Sequence, residues 1–304
     1  MKSRFIFLFT VSLVSINTFG QRVNYDVIKN EPVEPKISVA LDLFQLDANT
    51  GWPNLRTDNM SFNIGMVGYV KVLPMLEVDY NLHKGFLTLG RMANENYPGN
   101  TDLNAGVNFL LPGIKKTKST KVVLASETTR SGNTETTNTT YIMVPAQWKR
   151  RLGFRGGVKF KNGPFNYQDY IDESTLDGLD ELGMMSTGIY GGVMLRSIRN
   201  IVIDSDNFGL SFNSLGSDLY LDVIVNPINR FVDVNNNNEV VSQEVKDFQS
   251  VFPIGFRIGY ETFQVEQRTV IGKRFGITWN GEFGYQPYRG IFINAGIGLS
   301  VFRM

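Results

Sequence analysis

Few side chains in this sequence could carry chemistry. It has one histidine, His83, and no cysteine. Asp79 stands four residues earlier on the same face of an extended segment, and at ~3.3 Å per residue the two Cα atoms lie roughly 13 Å apart. That is too far for a hydrogen-bonded acid–base dyad. A serine–histidine–amide hydrolase would have to draw its serine and amide from neighbouring strands, and no local motif marks them. Catalysis is therefore not expected. What recurs instead is an ionisable group on the polar side of alternating segments: Asp42, Lys71, Glu77, Asp79, Arg155, Lys159, Arg196, Asp222, Arg257, Glu261 and Glu282. Both signs occur, so these groups can pair across a narrow interior. Arg155, Lys159 and Arg257 are expected to meet carboxylates such as Glu261 or Glu282.

The elements that position them are read from a period of two. Ile291, Ile293, Ala295, Ile297, Leu299 and Val301 alternate with Asn294, Gly296, Gly298 and Ser300. Phe252, Ile254, Phe256, Ile258 and Tyr260 alternate in the same way with Gly255, Arg257, Gly259 and Glu261. Such patterning makes each segment a strand with one apolar and one polar face. Strands are expected near 36–47, 61–72, 75–88, 101–112, 118–128, 139–148, 151–161, 185–197, 216–227, 251–264, 273–286 and 290–303. Pro145 weakens the sixth. Many of them match the 9–11 tilted residues that cross a bilayer and exceed the usual strand length. The apolar faces end in aromatics such as Tyr80, Phe86, Trp279, Tyr285 and Phe302, as expected where an apolar band meets two interfaces. The fold class is all-β: a transmembrane antiparallel up-and-down β-barrel of about 12 strands, with 14 as the alternative count.

Composition sets the compartment. Lys2 and Arg4 precede an apolar run from Phe5 to Ile16, too short to span a bilayer, so residues 1–20 read as a signal peptide removed near Gly20. Two of the 30 Lys and Arg lie there, which leaves 28 cations against 29 carboxylates. Such a balance gives no electrostatic case for nucleic acid. Without cysteine, neither a disulfide scaffold nor a lipid-accepting cleavage site is available. Residues 21–35 read as an extended periplasmic lead and 36–304 as the barrel. With both termini periplasmic, short turns at 73–75, 113–117 and 148–151 would alternate with longer outer connections at 48–60, 89–100, 129–138, 162–184 and 228–250. The segment 198–215 is too long for its turn and would form two more short strands or a flap.

Three resemblances add to this reading. The end of the chain resembles the C-terminal signal of bacterial outer-membrane barrels, with Asn294, Gly296, Leu299, Val301 and Phe302 at the matching positions, although Arg303 and Met304 follow the aromatic. It implies recognition by the barrel-assembly machinery. The leader resembles those of exported Bacteroidota proteins. Residues 233–244 resemble the calcium loop of EF-hand and dockerin-like modules. That resemblance implies side-chain ligands from Asp233, Asn235, Asn237 and Glu244, a carbonyl from Glu239 and an apolar Val240, with Asn238 in place of the family's glycine. With only two acidic ligands, affinity would be on the order of 10⁻⁴–10⁻³ M, and an Asn-rich solvated loop is the competing reading. No cofactor is required.

The function read from these features is a non-enzymatic outer-membrane barrel, in contact with outer-membrane lipid, that serves as an accessory of a secretion or uptake assembly and binds an envelope protein partner. The alternative is a small-solute channel or transporter.

Overall fold

Each strand of a closed ring pairs with the ring strand next to it in sequence, and the last of the ring returns to its first. The computed structural model describes residues 23–50, 57–90, 100–131, 134–164, 182–233, 239–240, 253–263, 265, 268–270, 273–287 and 289–303. Ten strands close the ring: β2 (Ile37–Thr50), β3 (Thr57–Leu73), β4 (Leu76–Gly90), β5 (Thr101–Leu110), β7 (Thr134–Pro164), β8 (Leu182–Ser205), β9 (Gly209–Asp233), β11 (Ile254–Phe263), β13 (Lys273–Gln286) and β14 (Gly290–Arg303). All pairings are antiparallel, and β14 against β2 completes the circuit. Four strands lie off the ring. They are β1 (Tyr25–Lys29) on β8, β6 (Ile114–Ser131) on β7, β10 (Glu239–Val240) on β9 and β12 (Arg268–Val270) on β13.

The alternation places the two kinds of side chain where the sequence predicts. Phe154, Val193, Ile258 and Trp279 point out and are exposed, whereas Asn104, Lys159, Arg257 and Asn294 point in and are buried. Closure explains the pattern: it leaves no unpaired edge around the ring, and it makes the inner face a confined space that only polar, mutually satisfied groups can share. Inward glycines make room for the largest inward rings. A Cβ at Gly259 would collide with the Tyr220 ring beside it, and one at Gly216 would collide with Phe263. Tight reversals use backbone freedom instead, at Gly209 (φ 65°) between β8 and β9 and at Gly290 (φ 75°) between β13 and β14.

Of the twelve strands read from the sequence, ten are the staves and two are something else. The expected strands at 118–128 and 139–148 form a hairpin outside the ring, and the expected turn at 148–151 does not exist. β7 continues through Trp148, Lys149, Arg150 and Arg151 without a break. No glycine or proline interrupts those four residues, and Arg151 is fixed by its own hydrogen bonds to Leu110 and Leu111 carbonyls. Ser131 and Thr134, paired at the far end of this hairpin in what was expected as an outer connection at 129–138, therefore lie toward the same end of the ring as Ser38 and Arg303. Pro145 is tolerated because its ring nitrogen faces away from β6. Its carbonyl accepts from Asn30 on that open side, where Asn30 also receives the Gln147 amide.

At that terminal end β8 and β9 run on past the barrel as a second hairpin, which occupies the segment 198–215 where two more short strands or a flap were expected. The two hairpins pack through Val122, Val144 and Ala146 against Ile201 and Ile203, all fully buried. The lead at 21–35 holds β1, which takes up the edge of β8 where β7 departs.

Candidate functional site

The interior is the place where this chain concentrates its charge. Its inward positions come from every stave, because each strand contributes alternate residues to one enclosed axis. Near the terminal end an apolar layer crosses the lumen, formed by Tyr69, Ile198, Phe263 and Val265, and Leu110, Met194 and Tyr220 form a second buried cluster. Arg196 lies next to this layer, with its guanidinium 4.8 Å from the Tyr69 ring and 5.1 Å from the Phe263 ring. It donates Nη1 to Glu77 Oε2 at 2.6 Å and Nε to Asp218 Oδ1 at 2.8 Å. Asn108 donates to the same Glu77.

The middle layer is built on two arginines and two tyrosines. Arg257 donates Nε to Asp222 at 2.7 Å and Nη1 to Glu282 at 3.1 Å. Tyr220 donates its hydroxyl to the same Glu282 at 2.5 Å. Arg155 stacks 3.9 Å from the Tyr220 ring and lies 3.5 Å from Asp222 and 3.7 Å from Asp79. Cation–π contact adds to the ion pairing here, since guanidinium planes sit on ring faces away from bulk water.

Beyond this layer His83 meets Asp42 at 2.7 Å, and Asn280 donates to the same carboxylate oxygen. Lys159 pairs with Asp102 at 3.5 Å, and Lys161 donates to Asp47 at 2.6 Å. Asn100 also donates to Asp47, and Arg289 donates to the Met184 carbonyl. Phe292, fully buried, lies near both lysines. At the other end Glu34, from the lead, reaches into the mouth. It accepts from Arg151 at 2.6 Å, pairs with Lys149 at 3.2 Å and contacts Lys71. Burial opposes ionisation of Glu34, but the Lys71 hydrogen bond and the charges of Lys71, Lys149 and Arg151 outweigh it and lower its pKa to about 2.

All eleven charges read from the sequence as inward lie on the inner face or at its mouth. Their partners differ from the expectation: Arg257 meets Glu282, but Lys159 meets Asp102, and Arg155 meets Asp79 and Asp222. Glu261 forms no ion pair among the described residues; it lines a small central cavity. Sequence reasoning missed Glu34, Asp47, Asp102, Arg151, Lys161 and Asp218. Asp102 and Asp218 were on the right parity, whereas Asp47, Arg151 and Lys161 lie at the ends of the expected strands, where alternation is hardest to follow.

Of the assembly-signal positions, Asn294 and Gly296 face in, Leu299 faces out, and the side chains of Val301 and Phe302 lie outside the described residues. In the calcium-like segment, Asn235, Asn237 and Glu244 lie outside the described residues, and Asp233 pairs with Glu239 through the backbone. The signal-peptide segment also lies outside them. Among the described residues, no group of three His, Cys, Asp or Glu side chains could hold a metal ion.

A cavity of ≈ 690 Å³ opens at the mouth beside Glu34, Lys71 and Arg151, but at the centre of the network the space is small. The central cavity, lined by Glu77, Asp79, Arg155, Arg196, Arg257 and Glu261 among others, has a volume of ≈ 40 Å³. That admits a few water molecules and nothing larger.

No protein-family model matches the chain, and no curated protein matches it. Among solved structures the chain is similar to a mutant of the Rh. blastica porin, at 8% identity over 87% of this chain and 100% of that one, with a TM-score of 0.20. A likeness that weak carries no argument, and the fold stands on its own strand pairing.

Proposed function

We propose that this chain is a non-conducting anchor in the bacterial outer membrane. It holds a strand platform at the periplasmic face for a partner in the cell envelope. The observation that carries this reading is the closed lumen. Ion pairs join β4 to β8, β5 to β7, β7 to β9 and β9 to β11, and the cavity at their centre has a volume of only ≈ 40 Å³. A pore for solutes needs a continuous water path, whereas here an apolar layer and two layers of ion pairs cross the axis.

The exposed apolar exterior supports membrane insertion. Phe86 is 60% exposed, Ile189 57% and Trp279 57%, positions that would be unfavourable around a water-soluble barrel. The two hairpins beyond the ring support the platform. They share a buried core of their own, so they form a stable projection rather than loose turns. The barrel-assembly machinery would place the termini, and with them the platform, on the periplasmic side. The reading assigns no catalysis to the chain.

Planar-bilayer recording tests it directly. The wild-type protein should insert without passing current. The double variant Arg155→Ala/Arg257→Ala, which empties the middle layer and leaves its carboxylates, should open a cation-preferring conductance. A steady open current through the wild type would replace this reading with that of a small-solute channel. Co-purification after mild detergent extraction should recover an envelope protein with the wild type and lose it when residues 116–148 are replaced by a short turn.

A further inference from the structure

Below the apolar exterior, on the face that β6, β7 and β8 share, cations gather with no counter-charge among the described residues. Alternation from the exposed Leu152 and Phe154 puts Arg150 and Trp148 on the outward face of β7. The register then sets Ile114 beside Arg150, and Lys116, Trp148 and Arg199 in one row across three strands. Lys118 leans back toward the barrel, with its ammonium 5.4 Å from the Trp148 ring, and Arg199 sits 4.8 Å from the same ring. Four cations thus lie within three successive rows of one face. None of them has a described carboxylate within salt-bridge distance, and Arg199 Nε is buried without a hydrogen-bond partner among the described residues. In sequence, no Asp or Glu occurs between Asp102 and Glu127, or between Glu135 and Asp169. Like charges on neighbouring strands oppose folding, so such a face is costly unless an anion occupies it.

We propose that this face binds the phosphate groups of anionic phospholipids in the leaflet at the terminal end of the barrel. The inference rests on the proposed insertion in a membrane. Position decides the ligand. Ile114, 66% exposed, and Leu152, 50% exposed, are the last exposed apolar side chains of this face on β6 and β7 before the cations, and beyond them Trp148 packs against the core between the two hairpins. Lys116 and Arg150 stand two residues beyond them, roughly 7 Å along a strand. The headgroup layer on each side of the hydrocarbon core is about 5–7 Å thick, so both side chains reach phosphate level. Lysine and arginine stems lie along the apolar margin while their charged ends meet the phosphates. An acidic protein partner would not need the cations placed against the apolar margin.

Native mass spectrometry of the protein, inserted in vesicles of phosphatidylcholine with a minority of phosphatidylglycerol and then released in mild detergent, tests this. The wild type should retain phosphatidylglycerol in preference to phosphatidylcholine. Lys116→Gln/Lys118→Gln/Arg150→Gln should lose that preference by roughly fivefold per side chain. The charge-conserving Lys116→Arg/Lys118→Arg/Arg150→Lys should keep it, which separates lost charge from lost folding. Equal retention of both lipids by the wild type, or unchanged preference in the glutamine variant, would overturn the proposal. So would indifference to phosphatidylglycerol combined with binding of a polyglutamate peptide that the glutamine variant loses. A wild-type protein that does not enter vesicles at all would instead remove the membrane reading, and this proposal with it.

Discussion

Arg196 on β8 and Glu77 on β4 meet across the lumen through two parallel hydrogen bonds, Nη1 to Oε2 at 2.6 Å and Nη2 to Oε1 at 2.7 Å. They are 119 residues apart in sequence, and β5 and β7 stand between their strands in the ring. The bond is therefore a strut across the barrel, with both side chains fully enclosed. Removing one member of a buried pair leaves the other uncompensated, at a cost of about 3–5 kcal/mol. Arg196→Met should accordingly lower the midpoint of heat-modified migration on gels. Arg196→Met combined with Glu77→Gln and Asp218→Asn should recover much of the loss. A triple variant no more stable than the single one would show that the strut is not the source.

Glu34 ties the lead to the mouth, and its effect should depend on pH with a definite sign. Its folded pKa is depressed to about 2 from 4.5, so its contribution is complete above pH 4.5 and is lost as pH falls through about 2. Protease cleavage within residues 23–36 is blocked at neutral pH in this account. An acid-stable protease should cut the lead increasingly fast from pH 4.5 to pH 2. Glu34→Gln should be cut at a rate that hardly changes over the same range, and a wild type equally insensitive to pH would remove the latch.

The lipid-facing register can be checked by charge insertion. Ile297, 43% exposed on β14, is paired with Trp279 of β13 midway along both strands. Ile297→Arg or Leu299→Arg should cost roughly 2–4 kcal/mol if the site is near mid-bilayer, and should reduce the folded protein recovered from membranes. Gly296→Ala, on the inner face against Asn280, tests packing rather than lipid contact and serves as the contrast. Normal recovery of both arginine variants would reverse the assignment of faces.

Calcium in the segment 233–244 remains a proposal from sequence. Millimolar calcium should slow protease cleavage between Asp233 and Glu244, and Glu244→Ala should abolish the protection. Equal cleavage with calcium and with chelator would discard the site and leave the barrel untouched.

The period of two was enough to fix which residues face out and which face in, because a strand gives its two faces to alternate side chains whatever its neighbours are. Asp42, Arg155, Arg257 and Glu282 could all be assigned to one enclosed space on that basis alone. Which of them touch was decided by closure. Arg196 reaches Glu77 and Asp218, and His83 reaches Asp42 rather than Asp79, because ring register and diameter set distances between strands that are remote in sequence. The same limit hid the run of β7 through Trp148 and Arg151. Locally the hairpin arm and the stave have the same alternation, and only the change of neighbour, from β5 to β6 on one side and from β8 to open space on the other, distinguishes them. Hydrophobic pattern is a property of the chain; partnership is a property of the ring.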